Sequence, residues 1–130
     1  MDFIFFELDS GPYALRLDAV AEVVRAGPVR RVPLAGSAVR GLGERRGRPI
    51  AIVDLPRLLD DGSPEIASTH LVRLAPPLDG TALWVPAEIL SGAGHAADVP
   101  GTGRPHVVID GRPHVLLDPE ALVRRAAAAS

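Results

Sequence analysis

Apolar and polar positions alternate in short runs, and turn residues punctuate them. "FFELDSGPYALRL" (5–17), "VRLAPPLDGTALWV" (72–85) and "VVIDGRPHVLL" (107–117) each place a Ser-Gly or Asp-Gly signal between two apolar stretches. Such pairs supply the positive φ angles of tight turns, so the three segments predict β-hairpins. "AVAEVVRAGPVRRVP" (19–33) adds one or two further strands, with Val20, Glu22 and Val24 on one face and Ala21 and Val23 on the other. A strand buried on both sides cannot carry Glu22 without a cationic partner.

"IAIVDL" (50–55) is apolar on both faces as far as Asp54, the pattern of a core strand, and "DLPRLL" continues as one helical turn. The tail "DPEALVRRAAAA" (118–129) predicts a helix with Asp118 at the N-cap, Pro119 in the first helical position and Glu120 in the first turn. "IVDLPRLL" (52–59) and "LLDPEALV" (116–123) repeat one order of strand, aspartate and short helix, which suggests two related halves. Short strands with few crossover helices point to an all-β barrel or sandwich.

Length and charge narrow the function. The 130 residues fit one domain, 1–130, large enough to fold without a staple. With no cysteine, thiol catalysis, disulfides and thiolate metal sites are excluded. The N-terminus "MDFIFFELD" is not a signal peptide, and no apolar run reaches the ~20 residues of a membrane span. A cytoplasmic location without direct membrane insertion is therefore expected. The net charge of −2 speaks against a nucleic-acid binder. Seven of the fourteen arginines crowd between Arg30 and Arg57, yet none of the five aromatics lies there to stack on bases.

The residues offer three candidate chemistries. Asp54 reads as a catalytic carboxylate held among arginines, or as a cap accepting backbone N–H bonds; the strand–Pro context favours the cap. His70, His95, His106 and His114 have no helical i, i+4 pairing and no cysteine beside them, so no metal site and no cofactor is expected. "LDSG" (8–11) matches the local pattern of a retropepsin-like aspartic protease, with Asp9 as its carboxylate. It is also a common turn sequence.

From Val20 to Leu59 the chain resembles the CheW-like domain, the coupling module of bacterial chemotaxis. The resemblance rests on "VAEVV" (20–24), Pro33, "VRGL" (39–42), "RG" (46–47) and "IAIVDL" (50–55), with "GRPHVLLDPEAL" similar to the family's closing strand and helix. It implies two small five-stranded SH3-like β-barrels packed together, a short C-terminal helix and no catalytic residue. It also implies an adaptor that joins a chemoreceptor signalling tip to the regulatory domain of a CheA-type histidine kinase. Other CheW-like domains are a further implied partner, and recruitment to receptor arrays an implied location. By the same resemblance Glu22 and Arg46 pair, Gly41 lets the chain turn before the arginine loop, and Val20, Glu22, Gly41, Arg45, Arg46 and Gly47 mark the partner face. Glu44 and Arg45 replace the family's Asn-Leu, which leaves open a regulator that binds only receptor or only kinase.

Overall fold

The computed structural model describes residues 1–26, 38–62 and 69–128. Eleven strands, two α-helices and one 3-10 turn (Leu17–Ala19) are found among them. The three predicted hairpins are present: β1 (Asp2–Leu8) with β2 (Gly11–Arg16), β6 (His70–Leu74) with β7 (Thr81–Val85), and β10 (His106–Ile109) with β11 (Arg112–Leu116). β3 (Val20–Arg25) realises the first half of the 19–33 segment; the rest of that segment, Pro33 included, lies outside the described residues. β4 (Val39–Arg45) and β5 (Arg48–Asp54) form a fourth hairpin, and β8 (Leu90–Ala93) and β9 (His95–Ala97) complete the strands. The helices are α1 (Leu55–Leu58) and α2 (Pro119–Ala128).

The strands make two sheets, ordered β8-β1-β2-β11-β10-β9 and β3-β6-β7-β5-β4. The first has six members because β8 and β9 are two parts of one run bent at Gly94. β8 pairs with β1 and β9 with β10, so that run joins the two margins of the sheet and rolls it into a barrel of five chain passes. Only glycine fits at the bend. A Cβ there would stand 2.8 Å from the Val108 carbonyl oxygen and 2.8 Å from Ile109 Cγ1.

The two halves correspond. Each sheet contains one parallel pair, β11 with β2 in the first and β5 with β7 in the second. The strand that makes it leads in both cases into an aspartate and a helix, so the sequence echo is also a structural one. In β10 and β11 the chain repeats itself closely, "GRPHVVID" (103–110) followed by "GRPHVLLD" (111–118). Register sets His106 opposite Val115 and Val107 opposite His114, so the two copies turn their buried histidines to opposite faces. Each ring donates its Nδ1–H to the carbonyl two residues back, of Arg104 and Arg112 respectively.

Strand alternation divides the apolar residues between cores. Ile4, Phe6, Leu8, Tyr13 and Leu15 of the first sheet meet Val53, Val72, Leu74, Leu83 and Val85 of the second, and α2 covers them with Leu122 and Ala126. The opposite face of the first sheet encloses Phe3, Ala14, Val107 and Ile109. Leu15, Leu74 and Leu83 are wholly buried, each worth about 1.5–3 kcal/mol of transfer free energy. The shared layer holds the sheets face to face and leaves the ends of the second one free to present side chains.

Candidate functional site

The candidate site lies at one end of the second sheet. Glu22 occupies the middle of β3, just past a bulge between Val20 and Glu22, and on the face opposite Val23, which packs on the shared core. Two guanidinium groups converge on it. Arg45 Nε stands 2.6 Å from Glu22 Oε1, and Arg45 Nη2 donates to Oε2 at 3.0 Å, the geometry of a bidentate pair. Arg73, directly across the ladder on β6, donates from Nε to Oε1 at 3.1 Å. The hydrogen bond from Arg73 is the largest influence on the Glu22 carboxyl, and together with the charge and hydrogen bond of Arg45 it outweighs desolvation and holds that carboxyl below the usual glutamate range.

The cation that Glu22 demanded is therefore Arg45, joined by Arg73, and the expected Glu22–Arg46 pair is corrected. Strand parity is the reason. Arg45 is the last residue of β4 and shares a face with Gly41 and Gly43, whereas Arg46 has left the strand. Arg46 and Gly47 are the two central residues of the β4–β5 turn, with φ of 51° and 79°. Positive φ at both is the signature of a type I′ hairpin turn. Arg46 is thus an exposed apex residue. Gly41, expected to turn the chain, instead lies buried within β4 at a register shift, opposite Ile52. The turn glycine is Gly47. Val20 is half-buried against the shared core, at the far end of β3 from Arg25.

Asp54 ends β5 and caps α1, its Oδ1 accepting the Arg57 N–H at 3.1 Å. Its second oxygen faces Arg40 Nη1 at 3.3 Å, and that guanidinium lies 3.8 Å over the Trp84 ring. Arg40 is thereby held by a carboxylate and a π face together. Asp118 accepts the Glu120 N–H at 3.1 Å at the start of α2. Asp9 sits in the exposed two-residue turn of the β1–β2 hairpin. Among the described residues no three metal-ligating side chains cluster, and no helix is long and apolar enough to cross a membrane.

Reading the residues missed Arg73. An arginine inside the apolar strand "HLVRL" is as anomalous as Glu22 inside "VAEVV", and two lone opposite charges in neighbouring core strands are the available signal. Trp84, as the platform for Arg40, had no comparable sequence mark.

Comparison with known proteins agrees with this architecture. No curated protein sequence matches the chain. Among solved structures it is similar to the scaffolding protein TtCheW from Thermoanaerobacter tengcongensis, at a TM-score of 0.75 and 18% identity, over 90% of this chain and 88% of that one. The model of the CheW-like domain matches residues 2–75, from β1 through β6 and hence the whole Glu22 clamp and the β4–β5 hairpin. The chain belongs to the CheW-like domain family, whose members are non-enzymatic scaffolds of chemotaxis signalling.

Proposed function

We propose that this protein is a cytoplasmic adaptor that couples chemoreceptor signalling tips to the regulatory domain of a CheA-type histidine kinase. Residues 1–130 act as one CheW-like domain, and association with other CheW-like domains would bring it into receptor arrays. The observation that carries the reading is the family match over residues 2–75, which contains every residue of the expected partner face. Val20, Gly41, Arg45, Arg46 and Gly47 line β3 and the β4–β5 hairpin, with the exposed apolar residues Val24 and Leu42 beside them. Apolar contact would supply affinity there and the arginines partner choice.

The backbone at Arg46 supports a recognition role. Two-residue I′ turns favour Asn-Gly and Asp-Gly. The corresponding hairpin of the other barrel uses Asp110-Gly111 at φ of 51° and 76°. An arginine accepting the same angles in place of a turn former is a local violation of the kind found at functional positions.

Calorimetric titration of the purified chain against a receptor signalling tip and a kinase regulatory domain tests the proposal. Saturable micromolar binding to both establishes coupling. Binding to one alone makes the chain a single-partner regulator, a reading that the charged Glu44-Arg45 step at the hairpin favours. Binding to neither removes the adaptor assignment.

A further inference from the structure

The clamp on Glu22 has two unequal halves. Arg73 belongs to β6, which is hydrogen-bonded on one side to β3 and on the other to β7, and its side chain is 22% exposed. Arg45 closes an outer strand, one residue before the turn, and its side chain is 43% exposed. One guanidinium is fixed within the sheet and the other rides on the hairpin. Glu22 lies between them and, with β6, β7 and β5 intervening in the sheet order, ties the two outer strands β3 and β4 together.

We infer that Arg73 is a positioning residue for the Arg45–Gly47 apex, acting through Glu22. A glutamate side chain on its own samples several rotamers. Arg73 fixes Oε1, which leaves Oε1 and Oε2 together aimed at the planar fork of Arg45. The fork is bidentate, so its donation to both oxygens sets the direction of the Arg45 side chain and the place of the two turn residues that follow. The two arginines repel one another, and the carboxylate between them is what allows them to share the site. Only the last consequence, an effect on partner affinity, rests on the adaptor reading.

The experiment uses the full chain labelled with 15N and reads the Gly47 amide by heteronuclear NOE and hydrogen exchange, with the Leu83 amide as the core reference. Arg73→Met, which keeps an apolar stem, is expected to lower the Gly47 NOE and speed its exchange while Leu83 is unchanged. Arg73→Lys, which restores the charge with a single rotatable donor group, should recover part of the order. The unmodified chain in about 1 M salt, where the screening length is only ~3 Å, should show the same loosening at Gly47. Affinity for whichever partner binds should fall about fivefold in Arg73→Met. An apex equally ordered in Arg73→Met overturns the inference, and so does loosening that Gly47 and Leu83 share alike. Should the unmodified chain bind neither partner, the adaptor reading fails while the Gly47 readout still decides the role of Arg73.

Discussion

The two barrels join their outer strands by different means. In the first, the backbone does it: one run turns at Gly94 and pairs with β1 before the bend and with β10 after it. In the second, among the described residues, side chains do it, through a carboxylate on β3 and a guanidinium at the end of β4. A backbone corner is permanent and indifferent to salt or acid. An ion pair with a 43%-exposed arginine is adjustable, and it sits beside the hairpin proposed for partner contact.

Breaking the rigid closure should have the largest effect. Gly94→Ala places a methyl group 2.8 Å from a backbone oxygen that cannot swing aside and 3.2 Å from Phe3 Cδ2 in the same small core. Overpacking of this kind costs about 1–3 kcal/mol, with the upper end expected here because backbone must move. Chemical denaturation measures it, and Gly62→Ala, where nothing lies within 4 Å of the added Cβ, is the control. A loss below the control would show that β8 and β9 are not held at this corner.

That corner was not legible in the sequence. "SGAGHAAD" (91–98) carries no strand signal, since it has glycine and alanine where strands usually have branched or aromatic residues. Those small residues are there because Gly92 and Gly94 face Phe5, Phe3 and Ile109 across a narrow interior. Three of the four hairpins and both Asp-capped helices were legible because alternation and an aspartate ahead of a helix are local signals. Of the Ser-Gly and Asp-Gly pairs, however, only Asp110-Gly111 forms a two-residue turn with positive φ at both positions. The need of Glu22 for a cation was legible too, but the identity of the cation was not. Choosing among Arg45, Arg46 and Arg73 requires strand parity at a turn and a ladder partner 51 residues away. Sequence spacing carries neither. The tandem "GRPH" copies were present in plain letters, yet their meaning, two histidines on opposite faces, depends on register.

The adjustable closure should answer to acid. Because the folded state holds the Glu22 carboxyl below its ordinary value, ionised Glu22 adds stability that is complete above the unfolded value of about 4.3. That contribution fades as pH falls through the lowered folded value. The β4–β5 apex should therefore loosen only once the pH falls below the ordinary glutamate range, and before the shared core responds. Glu7, whose carboxyl is also held low, by the hydrogen bond and charge of Arg112, works in the same direction in the first barrel. Glu22→Gln separates the two. The variant should show the loosened apex already at neutral pH and lose the acid response of the Gly47 amide, while the response near Glu7 persists. An unchanged Gly47 titration in Glu22→Gln would place the origin of the acid effect elsewhere.

The smallest effect on stability should come at the apex itself, and there it carries most meaning. Arg46 and Asp110 occupy the same turn position in corresponding hairpins, both at φ 51°. A side chain in the left-handed region costs about 1–2 kcal/mol unless it is glycine or a short polar residue such as asparagine or aspartate. Arg46→Asn gives the second barrel the preferred Asn-Gly turn and leaves the Glu22–Arg45 pair intact, so denaturation should show it no less stable than the parent and slightly more so if anything. If the arginine is kept for recognition, partner affinity should fall in this variant despite the gain. Arg45→Ala should do the reverse, disordering the apex and lowering affinity together. Should Arg46→Asn bind as well as the parent, the guanidinium at the apex is not what a partner reads, and the partner face shrinks to the apolar strand surface around Val24 and Leu42.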